Sequence, residues 1–125
     1  MKLILLIGTG SFICGVFRYL LSLLIQSKTA SAFPVPTFIV NITGCFLIGI
    51  IIGLFDKGQM SNEWKLFFAT GVIGGFTTFS AFSLETFVLI REGQFSHAFL
   101  YVFGSVFIGL LATCIAYLLI KNQII

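Results

Sequence analysis

The chain has 125 residues, 58% hydrophobic and only 9% charged, with mean hydropathy +1.14. A soluble domain of this size could not hide so much apolar surface, so the composition excludes the water-soluble classes and indicates an integral membrane protein. The net charge of +3 is scattered without a basic block, which argues against a nucleic-acid partner.

A helix needs about 20 mostly apolar residues to cross a bilayer. Residues 3–25, 37–55, 64–90 and 98–120 meet that requirement, which predicts an all-α membrane domain of four spans occupying the whole chain. The start, Met1-Lys2 followed by an apolar run, mimics a signal peptide. No small-residue cleavage site follows and the run continues past Arg18, so it reads as a retained first helix. Arg18 is the only basic residue deep within a span. Pro36 marks the start of the second helix, and Ser61-Asn62-Glu63 offers caps for the third. Cys14, Cys45 and Cys114 lie in apolar runs without C-x-x-C spacing or neighbouring histidines, and read as small packing residues. Gly10, Gly15, Gly44, Gly49, Gly53, Gly104 and Gly109 let helices approach closely, as small residues do in membranes. His97 reads as a lone loop residue.

The third span carries the anomaly. Thr70–Glu85 reads Thr-Gly-Val-Ile-Gly-Gly-Phe-Thr-Thr-Phe-Ser-Ala-Phe-Ser-Leu-Glu, with Gly74-Gly75 beside Thr77-Thr78 near mid-membrane. Backbone there is expected to leave helical geometry, which hydrocarbon tolerates only where protein or a water-filled cavity covers it. The span therefore reads as a broken helix holding the functional site. Gly74–Thr78 would present carbonyls to a cation or amides to an anion. A carbonyl site without a carboxylate in the same turn suits a hard monovalent ion such as sodium better than calcium or magnesium.

Polar groups inside spans are costly and each requires an account. Asn41 shares a helix face with Thr37, and its amide can hold an anion or bridge helices. Tyr101, Ser105, Gly109 and Thr113 fall at successive i+4 steps, putting three hydroxyls and a gap on one stripe of the fourth helix. Phe79 and Phe82 share a face just after the break, among Thr77, Thr78, Ser80 and Ser83. A benzene ring has an electropositive edge, so two edges facing a path would favour a small anion without trapping it as a lysine would. Glu85 could pair with Arg18, or the arginine could sit in an anion-attracting vestibule; spacing does not choose. No nucleophile–base–orienter set and no metal-ligand spacing is present, so an enzyme is not expected.

Orientation is weakly specified. With an even number of spans both termini share a side, carrying Lys2, Lys57, Lys65 and Lys121 against Lys28, Arg91 and a snorkelling Arg18. Such a balance gives the positive-inside rule little to act on. One outcome is insertion in both directions and pairing with an inverted copy, in place of the inverted internal repeats of other transporters.

These residues resemble the Fluc (CrcB-type) fluoride channels over nearly the whole chain. The resemblance rests on Gly10-x4-Gly15-x2-Arg18-Tyr19, on Thr37-x3-Asn41-x2-Gly44-x4-Gly49, and on Trp64-Lys65 followed by Gly71-x2-Gly74-Gly75-Phe76-Thr77-Thr78-Phe79-Ser80-Ala81-Phe82-Ser83-x-Glu85. The Tyr101, Ser105 and Thr113 stripe completes it. It implies an antiparallel, dual-topology homodimer in the cell membrane, with two pores that export fluoride passively. Neutral HF enters acidified cells and dissociates inside, so the anion accumulates and needs an outward leak. Carried over residue by residue, Phe79 and Phe82 are the ring-edge pair and Asn41 the pore amide. Thr78 and Ser80 also line the pore, with Tyr101, Ser105 and Thr113 as its hydroxyl track and Arg18 as a vestibule charge. The Gly74 and Thr77 carbonyls, doubled by the inverted copy, hold a structural sodium ion (Na+). Two departures, Ala81 where relatives have a hydroxyl and Gly109 interrupting the ladder, bear on coordination along the track rather than on which ion passes. The competing reading, a proton-coupled small multidrug exporter, needs a carboxylate in the first helix, and residues 3–25 contain none. A purely structural subunit would leave the Asn41, Phe79 and Phe82 constellation without a use.

Overall fold

The computed structural model describes residues 1–122 and is helical from end to end, with four helical segments long and apolar enough to cross a membrane. The first is α1 (Lys2–Gln26) and the second α2 (Val35–Asp56). The third span, Asn62–Arg91, is composite: α3 (Asn62–Leu66), a π-helical segment (Phe67–Ile73), a single turn α4 (Gly74–Phe76) and α5 (Phe79–Arg91). The last is α6 (Phe95–Lys121).

Local chemistry explains the boundaries. Pro34 caps α2 and Pro36 occupies its first turn, where a missing N–H costs nothing. The Ser61 hydroxyl accepts from the Trp64 N–H at 3.4 Å to start α3. Helices α2 and α5 end alike, each on a glycine with positive φ, 71° at Gly58 and 75° at Gly93. Beyond each glycine a 6→1 bond closes the end, Gln59 N–H to the Leu54 carbonyl at 3.0 Å and Gln94 N–H to the Leu89 carbonyl at 2.8 Å. The resulting links are short, which makes successive spans adjacent and antiparallel. His97, expected in a loop, lies exposed in the first turns of α6 because that helix starts at Phe95.

Helix α2 lies chiefly against α6, α1 against the π segment and α4, and α5 against α6. The α2–α6 contact is close because two glycines of α2 face the α6 backbone. A Cβ on Gly49 would meet the Thr113 carbonyl, and one on Gly53 would stand 2.8 Å from Ile120 Cβ. The buried apolar cluster is small: Leu89, Ala98 and Tyr101, with Phe33, Phe38 and Phe82 packed on it. Large apolar side chains such as Phe12, Phe99 and Leu110 point outward, as they should where the surrounding solvent is hydrocarbon.

Within the stretch Gly74–Thr78 the backbone angles differ from residue to residue. Gly74 keeps helical angles, φ −61° and ψ −35°. The extended residues are Thr77, φ −89° and ψ 156°, and Thr78, φ −149° and ψ 115°. Regular helix ends at Phe76 and resumes at Phe79. The π segment just before is a second departure, one that spacing alone does not announce.

Candidate functional site

The two extended threonines are held from α2. Asn41 Oδ1 accepts from the Thr78 N–H at 3.0 Å, and Asn41 Nδ2 donates to the Thr78 carbonyl at 3.3 Å. One amide side chain thus satisfies both backbone groups of a residue that has left the helical ladder. One turn on, Gly44 makes room: a Cβ there would collide with the Thr77 methyl. Of the two uses weighed for Asn41, the bridge is what these bonds describe, and one amide hydrogen is left over. The Thr77 hydroxyl donates back to the Ile73 carbonyl at 3.0 Å. The Thr78 hydroxyl accepts from the Ala81 N–H at 3.3 Å, capping α5, and lies 3.2 Å from the Ser80 hydroxyl.

Beside this clamp is a cleft of about 440 Å³, lined by Asn41, Thr78, Phe79, Phe82 and Ser105 among others. The Phe79 and Phe82 ring centres are 5.7 Å apart at 41°, and Phe82 lies 4.9 Å from Tyr101 at 53°. Phe79 is 79% exposed, whereas Phe82 is packed on the buried cluster. Ser105 Oγ is buried and has no hydrogen-bond partner, so a donor and acceptor stands unspent in the cleft.

The hydroxyl stripe of α6 divides by task. The Tyr101 ring is fully buried and its hydroxyl donates to Glu85 Oε2 at 2.6 Å. The Thr113 hydroxyl lies 2.8 Å from the Cys45 carbonyl and 3.1 Å from the Gly109 carbonyl, sharing its one proton between them. Thr113 therefore ties α6 to α2 while Ser105 faces the cleft. Gly109 seats against Cys45, since a Cβ there would come within 3.2 Å of the thiol sulfur.

Glu85 is the residue whose role spacing could not give. Its second oxygen accepts from the Thr37 hydroxyl at 2.6 Å, so two buried hydroxyls, one from α2 and one from α6, grip the carboxylate. Both bonds are short for hydroxyl-to-carboxyl contacts, so the side chain is held from two helices at once. Glu85 and Thr37 also line a second, polar cleft of about 440 Å³, with Ser22, Gln26, Thr29 and Ser31. Tyr101 thus stands between the two clefts, touching Phe82 on one side and Glu85 on the other. Arg18 does not pair with Glu85; its Nε is buried without a partner. It lies one and two turns before Ser22 and Gln26 on α1, on the face that borders the polar cleft.

The sequence from residue 5 to 117 matches the family model described as CrcB-like protein, Camphor Resistance (CrcB). The chain belongs to the CrcB-like family. Curated relatives agree over nearly full length. It is 44% identical to the fluoride-specific ion channel FluC of Azobacteroides pseudotrichonymphae over 120 residues, 95% of this chain and 96% of the relative. Identity to a Thermus thermophilus channel of the same name is 43% over 117 residues, 94% of each chain. For that of Flavobacterium psychrophilum it is 43% over 123 residues, 98% of this chain and 99% of the relative. The CrcB-like family is one of ion channels, not enzymes.

The Asn41 clamp gives a direct expectation. In Asn41→Leu, which keeps the branching but removes the amide, the Thr78 N–H and carbonyl both lose their partner, at a cost of about 1–3 kcal/mol each. The thermal midpoint in detergent should drop by several degrees; an unchanged midpoint would show that the clamp carries no stability.

Proposed function

We propose that this chain is a passive, fluoride-selective channel of the cell membrane, exporting an anion that accumulates when HF dissociates inside. The observation that carries the reading is the cleft beside Thr78. It combines two phenylalanine rings, a hydroxyl with no partner and a spare amide hydrogen, with no full positive charge. A small, strongly hydrated anion can exchange its water for such donors and ring edges and still leave, because each contact is weak. The relatives' name, fluoride-specific ion channel, supports the choice of ion. Asn41, Thr78, Phe79, Ser80, Phe82 and Ser105 then border the path. Tyr101 links it to the polar cleft, where Arg18 supplies attraction, and Thr113 holds the α2–α6 wall.

The third span then works as a broken helix, and the functional unit is a dual-topology homodimer. Phe79 and Gly74 lie open at mid-span, beside backbone that is off the helical ladder. Such backbone in hydrocarbon needs a protein cover. An inverted second copy is the occupant that the nearly balanced charges of the two sides permit. Two copies then form two pores.

A structural sodium ion suits the same place. The N–H groups that would bond the Gly74 and Thr77 carbonyls in a regular helix belong to Thr78 and Ala81. Those donors go instead to Asn41 Oδ1 and Thr78 Oγ1. Both carbonyls are therefore short of a donor, and a pair from each protomer would give four hard oxygens. When bound, the ion would join the protomers and add positive potential near both paths.

The exporter alternative fares worse: α1 offers no carboxylate for proton exchange, and Glu85 is gripped by two hydroxyls.

Phe79→Ile and Phe82→Ile should each slow fluoride release from reconstituted vesicles by up to roughly tenfold, since a ring edge is worth up to about one such factor. Dimer assembly should persist. Wild-type rates in both variants would remove the ring pair from the mechanism. Replacing sodium by a large organic cation during assembly should weaken the dimer; an affinity indifferent to sodium would contradict the carbonyl site.

A further inference from the structure

The π segment Phe67–Ile73 does not pass smoothly into α4. The Gly74 N–H is divided between the Ala69 carbonyl, five residues back, and the Gly71 carbonyl, three residues back. Gly71 is thus where the wide ladder gives way to a tight one. A side chain from another helix reaches that same oxygen: Ser11 Oγ of α1 donates to the Gly71 carbonyl at 3.0 Å. The other α1 hydroxyl bond, from Thr9, is spent on its own helix, at the Leu6 carbonyl.

The reach is possible because the two backbones nearly touch. A Cβ on Gly71 would stand 3.1 Å from the Ile7 carbonyl oxygen, and one on Gly75 would stand 2.6 Å from that of Ser11. Ile7 and Ser11 are one turn apart on α1, as Gly71 and Gly75 are on the third span. Over that single turn a side chain as short as serine can bond a main-chain carbonyl of its neighbour.

Where the ladder changes matters for all that follows it. A π turn contains one residue more than an α turn, so its loss would swing the downstream backbone by about 100°. The Gly74 and Thr77 carbonyls would turn with it, and Thr77-Thr78 would leave Asn41 and Gly44.

We propose that Ser11 is a positioning residue. Its hydroxyl pins the register change at Gly71, and so sets the direction of the Gly74 and Thr77 carbonyls and of the Phe79–Phe82 ring pair. It acts through Gly71 and touches neither ring nor ion. The inference rests on the channel reading only for its flux readout.

The test uses the full chain in bilayer vesicles, carrying a single ¹³C carbonyl label at Gly71 or at Thr77, read by isotope-edited infrared spectroscopy. In Ser11→Ala the Gly71 band should move to higher frequency as the carbonyl loses one of its two donors. The Thr77 band, six residues away, should move as well. Ser11→Thr keeps the hydroxyl and should restore both. Fluoride release should fall roughly three- to tenfold in Ser11→Ala, the worth of one hydrogen bond, and recover in Ser11→Thr. A band shift at Gly71 alone, or at neither label, would overturn the proposal. Should Ser11→Ala fail to assemble, Ser11→Cys, a weaker donor of similar size, should give smaller shifts of the same sign at both labels; no shift at Thr77 would again overturn it. Wild-type vesicles that release no fluoride would refute the channel reading, while the two labels would still decide for or against the anchor.

Discussion

The hydrogen bonds between the Asn41 amide and both backbone groups of Thr78 are the interaction on which the remaining structure depends. Two residues of extended chain in the middle of a bilayer would otherwise leave N–H and carbonyl groups facing hydrocarbon, each at a cost of several kcal/mol. A primary amide is the one neutral side chain that offers a donor and an acceptor side by side, as a peptide group does. Gly44, one turn away, lets Thr77 come close enough for those bonds to form. The Thr78 and Ala81 N–H groups go to the Asn41 and Thr78 side chains. Helix α5 starts afresh at Phe79, capped by the Thr78 hydroxyl.

The same economy extends outward. Helices α2 and α6 are held in contact by glycine and by the Thr113 hydroxyl at one end, and by Glu85 at the other, where α5 contributes the carboxylate and its two neighbours the donors. Tyr101 does two things at once: its hydroxyl secures Glu85, and its ring backs Phe82. The ring pair therefore has one fixed member and one exposed member. Ser105, a turn along from Tyr101, has a buried hydroxyl with no partner among the described residues. A path built from weak, neutral contacts with charges kept at a distance is what passage of a small anion needs, because a strong site would hold it.

Much of this is legible in the sequence, for reasons that differ residue by residue. The four spans follow from length and hydropathy, which the bilayer imposes directly, and the described residues hold four helical segments long and apolar enough to cross. The anomaly of the third span is visible in composition, but its location is not. Gly74 and Gly75 look like conformational breakers, whereas Gly74 is helical and Gly75 serves close approach to Ser11. Glycine has both uses, and only the partner helix decides between them. Asn41 is likewise open between ligand and bridge until the position of Thr78 is known. The i+4 spacing on α6 puts Tyr101, Ser105 and Thr113 along one stripe, yet periodicity cannot say which hydroxyl finds a partner. The Thr37–Glu85–Tyr101 contact joins three helices, and nothing in local spacing announces it. The π segment is also invisible, since Phe67–Ile73 has the composition of an ordinary membrane helix.

The central claim is that the ring-and-hydroxyl cleft discriminates by ion size. The most direct measurement loads vesicles containing the unmodified protein with equal concentrations of fluoride and chloride, and follows each with an ion-selective electrode after a potassium leak is opened. Rapid loss of fluoride with chloride retained is the predicted result. Retention of both ions, or release of both at similar rates, would contradict it.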